Sequence, residues 1–188
     1  DSGNLYGITS NQLFSIDTTT AAATVIGNHN TGSNALVFGP GNILYAADDR
    51  LFPIDTITGA ATVLGNGGDA YIASGDLAFI GGDLLLSSGI PSGDELFQLD
   101  LASGVGSDIG SIGFGNVYGL VTDNNVDLYG VSGTTVLEID PQTGSASILL
   151  NYSGQGLGSA WGAAVVPEPS TALLLGLGLV GFAVKRRA

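Results

Sequence analysis

Any acid-base or metal chemistry in this chain has to come from carboxylates. The 188 residues include 17 Asp and Glu, one His and no Cys, which excludes disulfides, thiolate metal sites and cysteine nucleophiles within this stretch. The sole histidine, His29, lies in the polar run "NHNTGSN" with no G-x-S-x-G elbow to accompany it, and reads as a solvated loop residue. Four aspartates, Asp17, Asp55, Asp100 and Asp140, each follow an apolar pair and precede a turn. Their identical place in four copies marks them as turn caps rather than as a catalytic cluster. The acidic residues that break this pattern are the better candidates for a ligand or cation face: Asp48 and Asp49 in "AADDRLF", Asp69, and Asp94 with Glu95 in "SSGIPSGDELF". A further group, Asp123, Asn125 and Asp127 in "DNNVD", spaces oxygen ligands as calcium loops do. It lacks the glycine and bidentate glutamate of such loops, and an Asn/Asp-rich hairpin turn is the competing reading. No cofactor other than calcium is expected.

These residues hang on a repeat. The segments "LFSID", "LFPID", "LFQLD" and "VLEID" place their aspartates 38, 45 and 40 residues apart. A turn and another strand follow each one, with glycine at 59, 104 and 144 where a residue of positive φ is needed; the first copy has Ala21 in that place. Short strands also precede each motif, at Leu5-Tyr6, Leu44-Tyr45, Leu85-Leu86 and Leu128-Tyr129, and before the last three comes one more, marked by Leu36, Leu77 and Leu120. Each unit therefore reads as four strands, a to d, over about 40 residues, the period and strand count of a β-propeller blade. The expectation is an all-β, propeller-like ring of about four four-stranded blades over residues 1–166. The ring would be closed by pairing "WGAAVV" (161–166) with the first strand, since an unpaired edge templates aggregation. Trp161, the only Trp, is expected to fill the core where the ends meet, with an exposed sugar-stacking role as the alternative. A β-solenoid and a two-sheet sandwich are the runner-up folds.

Charge is unevenly spread. Before Val166 the chain carries sixteen acidic residues against Arg50 alone, a charge of −15. Such a surface repels phosphate backbones and anionic headgroups, so nucleic-acid binding and peripheral membrane attachment through this part are not expected. With 31 glycines but 44% apolar residues, the chain has the composition of many tight turns between short strands rather than of disorder.

The C-terminus is different in kind. Pro167-Glu168-Pro169 and Ser170 precede fourteen uncharged residues, Thr171 to Val184, and then the basic Lys185, Arg186 and Arg187. The run is short for a bilayer crossing. Its basic flank would hold the terminus in the cytosol and leave the acidic body on the far side. The prolines disfavour helix at and before themselves, so an apolar helix over 171–188 would start only after an extended 167–170. The glycines of "GLGLVG" (176–181) superficially match a dinucleotide fingerprint, but without a preceding strand they serve close helix packing better.

Triplet, apolar segment and basic end, in that order, closely resemble the PEP-CTERM sorting signal of bacterial exosortase substrates. The resemblance covers Val166 to Ala188. It implies a membrane-anchored precursor that an exosortase-type enzyme cleaves near Pro167-Glu168-Pro169, leaving the body at the cell surface or outside the cell. The leading functional expectation is thus a non-enzymatic binding or matrix-associated protein, with exopolysaccharide or other matrix components as partners. The alternatives are an extracellular enzyme acting on polysaccharides or lactones through loop-face carboxylates and a cation, and a structural envelope protein with no small ligand.

Overall fold

The computed structural model describes residues 5–64, 71–90, 93–123 and 126–164. Fourteen strands make four antiparallel meanders, each built from consecutive strands. Blade 1 comprises β1 (Leu5–Ile8), β2 (Gln12–Ile16) and β3 (Ala23–Asn28); blade 2 comprises β4 (Ala35–Phe38), β5 (Leu44–Ala47) and β6 (Leu51–Ile54). Blade 3 comprises β7 (Ala73–Ile80), β8 (Asp83–Ile90), β9 (Gly93–Leu99) and β10 (Gly106–Ser111). Blade 4 comprises β11 (Val117–Asp123), β12 (Asp127–Ser132), β13 (Thr135–Ile139) and β14 (Ala146–Asn151). The strand d expected in blade 2 survives only as two bridges, Leu51 to Leu64 and Ile54 to Ala61. Only blades 3 and 4 are therefore full four-stranded sheets.

Three apolar clusters hold the blades together, one at each junction. Period-2 alternation explains how one strand serves two of them. In β5 every residue is buried, with Leu44 and Ala46 turned toward blade 1 and Tyr45 and Ala47 toward blade 3. In β8, Leu84 and Leu86 join the cluster shared with blade 2, while Leu85 joins the one shared with blade 4. Ile26, Leu64 and Ile109, at one equivalent position, each pack into the cluster shared with the following blade. First strands of successive blades also lie side by side, β4 against β7 and β7 against β11.

Each junction further brings backbone against backbone at glycine. A Cβ on Gly59 would sit 2.7 Å from Cα and C of Gly27, and one on Gly104 would sit 2.5 Å from the Leu64 carbonyl oxygen. A Cβ on Gly144 would overlap the Gly110 carbonyl. All three turn glycines are buried and have positive φ, at 75°, 72° and 75°. Each thus meets two demands that only glycine satisfies.

Among the described residues no closure of the ring by the first and last segments is seen, and the sheet of β1 has three strands; residues 165 and 166 of the expected closing segment lie outside them. Residues 161–164 are irregular and rest against β11, where a Cβ on Gly119 would come within 2.7 Å of Ala163 N. The sequence supplies the physical reason. At the leading turn, Ala21 replaces the junction glycine, and in the "ATVIGN", "GSDIGS" and "ASILLN" series Leu150 replaces Gly27 and Gly110. Two Cβ-bearing residues cannot approach as two glycines do, so the last face cannot dock on the first by the repeated contact. Ala21 is accordingly exposed at φ 58°, and Leu149, the counterpart of Ile26 and Ile109, is 52% exposed. The expected apolar helix over 171–188 falls outside the described residues. Among those described, no helix is long and apolar enough to cross a membrane.

Candidate functional site

Every d-a loop folds back over the b-c loop of its own blade. His29 N donates to Asn11 O (2.8 Å), Ala73 N to Asp48 O (2.9 Å), Ile112 N to Asp94 O (3.0 Å) and Ala160 N to Gly133 O (2.8 Å). One face of the molecule thus carries both loop sets, as the repeat implies. His29 belongs to this scaffold: it is buried rather than solvated, at 6% exposure. Its Nε2 lies 3.0 Å from Thr9 O and its Nδ1 2.8 Å from Thr31 Oγ1. Both ring nitrogens are thus engaged within the scaffold.

The repeat-breaking carboxylates occupy separate environments on this face. Asp94 is 4% exposed; its carboxylate accepts Ser74 Oγ at 2.9 Å and the Val117 amide. It ties β9 to the first strands of blades 3 and 4. Asp48 lies over Gly32, and burial, then the charge of Asp49, pushes its carboxyl above the ordinary range. Asp49 is exposed and Glu95 half-buried in β9. Asp69 is outside the described residues. Among those described, no group of three His, Cys, Asp or Glu is placed to hold a metal ion. Asp123 and Asp127 face each other as the closing pair of the β11-β12 hairpin, with Val126 N donating to Asp123 O at 3.0 Å. Asn125 falls outside the described residues.

The four repeated aspartates cap their turns. Asp17 Oδ1 accepts Thr19 N and Thr20 N, and Asp55 Oδ1 accepts Ile57 N and Thr58 N, all at 2.8 Å. Asp100 accepts Ser103 N at 2.7 Å and Asp140 accepts Gln142 N at 2.8 Å. These bonds hold all four carboxyls below the ordinary range, with the Ser103 hydroxyl the leading cause at Asp100. On the opposite face, a cleft of about 540 Å³ in blade 4 is lined by Asp127, Glu138, Asp140 and Thr143. One of about 420 Å³ in blade 3 is lined by Asp83, Gln98, Asp100 and Ser107. Their equivalent places, between the a-b and c-d turns, make them features of the blade rather than one distinct site.

One feature escapes a reading of the sequence alone, and a second is settled between two alternatives. Asp76, inside β7, accepts Leu77 N at 2.9 Å and, across the blade junction, Leu120 N at 3.2 Å. Burial outweighs both bonds and raises its carboxyl to about 6. Trp161 does not fill the core. It is 73% exposed and stacks on Tyr118 with ring centroids 4.9 Å apart and planes 20° apart.

Successive antiparallel meanders joined face to face through apolar clusters define a β-propeller-like fold. The chain also carries, at residues 165–187, a match to the PEP-CTERM protein-sorting motif. That motif implies a secreted, exosortase-processed protein that ends at the cell surface or outside the cell. No curated protein matches the chain in sequence. Among solved structures it is similar to a nidogen/laminin complex (TM-score 0.64, 15% identity, covering 85% of this chain and 64% of that one). It is also similar to a gluconolactonase from Xanthomonas campestris (TM-score 0.62, 15% identity, 86% and 60%). A third neighbour is the extracellular domain of a one-component system from B. thetaiotaomicron (TM-score 0.55, 14% identity, 89% and 24%). The chain spans less than two thirds of the length of each of these three. Identities this low report the fold and not the activity.

Proposed function

We propose that this chain is the body of a non-enzymatic binding module, displayed at the cell surface or released among matrix components once its C-terminal segment is cut. The sorting motif at residues 165–187 carries the reading. In this account Lys185, Arg186 and Arg187 hold the end of an apolar anchor in the cytosol. Pro167-Glu168-Pro169 lies on the outer side, where the processing enzyme reaches it. The acidic body, at −15, then faces the exterior, where its charge keeps it soluble and away from anionic headgroups.

The commitments of Asp94 and of the four repeated aspartates support binding over hydrolysis by those groups. A glycosidase-like reaction needs two carboxyl groups facing each other across a bound sugar. Here Asp94 is buried under two hydrogen bonds, and Asp17, Asp55, Asp100 and Asp140 are committed to turns. The test is fractionation of host cells that express either the parent chain or Glu168→Ala. The parent is expected in the surface fraction and medium, with the variant retained in the membrane. Equal release of both would overturn the role given to the triplet, and recovery of the parent from the cytosol would overturn the function.

A further inference from the structure

The b-c and d-a loops of blade 4 differ from the acidic part of the same face. Blades 2 and 3 place Asp48, Asp49, Asp94 and Glu95 there, whereas blade 4 presents 132–135 and 151–161, and the loop leading into it presents 112–117, without a single charged residue. Hydroxyls, amides and aromatic rings take their place, and they are tied down. Asn151 Oδ1 accepts Ser153 N at 2.8 Å, Tyr152 Oη donates to Gly133 O at 3.0 Å, and Ser132 Oγ donates to Gly115 O at 2.7 Å. Tyr118 Oη donates to Asn116 Oδ1 at 2.9 Å. Trp161 lies on this Tyr118, so one indole face is supported and the ring as a whole remains 73% exposed.

We propose that Trp161, supported by Tyr118, is the stacking platform of a neutral-polysaccharide site on the blade 4 loops. A pyranose ring has an apolar C–H face that fits a flat aromatic surface, and a rim of hydroxyls that pair with amide and hydroxyl groups. Both partners are present, and the aromatic one is rigid, which lowers the ordering cost of binding. Charge selects among saccharides. An acidic polymer would be repelled by a body of −15, and nothing on the blade 4 loops offers it a cation, so the ligand is an uncharged glycan. The inference deepens the binding role proposed above and rests on it for its setting.

Trp161 is the only Trp in the chain, so its fluorescence reports directly on the site. The experiment uses the full chain in a non-glycosidic detergent, titrated with neutral gluco-, manno- and galacto-hexasaccharides and, in parallel, with an oligogalacturonate. The expected result is a saturable change in emission with at least one neutral sugar and none with the uronate. Calorimetry on Trp161→Ala should then show affinity for that sugar reduced roughly tenfold or more, with Trp161→Phe in between. An unchanged circular-dichroism spectrum and thermal midpoint would establish that Trp161→Ala is folded. No response to any neutral sugar, or equal binding by Trp161→Ala, would overturn the site. A protein that is exported and cut yet blind to sugars defeats this inference alone, whereas one that binds sugars but stays in the cytosol defeats the proposed function alone.

Discussion

Replacing Gly59 with Ala tests the junction directly. The residue has φ 75°, which costs a non-glycine residue about 1–2 kcal/mol, and its new Cβ would lie 2.7 Å from Cα and C of Gly27. Relieving that contact means moving backbone on one side of the blade 1/blade 2 interface, an overpacking cost of about 1–3 kcal/mol. The sum is about 2–5 kcal/mol, against a typical total stability of about 5–15 kcal/mol. Gly133 is the control: it has φ 58°, and nothing lies within 4 Å of a Cβ placed there, so Gly133→Ala should show the conformational cost alone. Urea unfolding of the parent and both variants separates the terms, because a slope of about 1–3 kcal/mol per M turns the extra cost at Gly59 into a midpoint lowered by roughly 0.3–3 M relative to Gly133→Ala. Equal losses for the two variants would refute the claim that backbone contact at glycine sets the junction.

Ala21→Gly, at an exposed turn, removes a Cβ held at positive φ and should leave stability within about 1 kcal/mol of the parent in the same assay. Asp94→Ala strips the Val117 amide and Ser74 hydroxyl of their acceptor and should cost about 1–3 kcal/mol for the buried amide, with partial recovery in Asp94→Asn. Asp76 sets one limb of the pH profile: its folded carboxyl is raised from 3.8 to about 6, so the native state binds the proton more tightly than the unfolded chain. Stability should therefore rise as pH falls from 7 through 6 toward 4, by at most about 3 kcal/mol from this group, and the rise should be smaller in Asp76→Asn. The turn aspartates act in the opposite sense. Their folded values are lowered, so their contribution is present above the unfolded value and lost as pH drops below about 4. Urea midpoints from pH 3 to 8 should accordingly pass through a maximum between the two limbs.

The repeat was legible because each blade writes its turn in the same letters: Asp with two open amides beyond it, then, in three of the four, a glycine at positive φ. The alternation that sends Leu44 one way and Tyr45 the other was equally available. Closure was expected because an open strand edge argues for a partner, whereas the Cβ atoms of Ala21 and Leu150 argue against the repeated glycine contact there. Ala21 was visible as a departure, but its meaning required knowing that Gly59, Gly104 and Gly144 meet a neighbour's backbone. Among the site residues, Asp94 broke the repeat as expected, yet it did so as an inter-blade strut, since position in a loop does not report burial. Asp76 gave no signal because its perturbation comes from burial at the blade junction, which a polar residue within a strand pattern does not report. The uncharged run from Pro141 to Ala164 is the cue in the sequence to the blade 4 loops.

The most direct test of the central claim, an extracellular propeller-like module released from a transient anchor, is the C-terminal peptide mass of the protein recovered from the surface and medium of its native host. The account predicts a terminus at or near Pro167-Glu168-Pro169, with the apolar segment and Lys185, Arg186 and Arg187 gone. An intact Ala188 terminus, found in the membrane fraction, would contradict it.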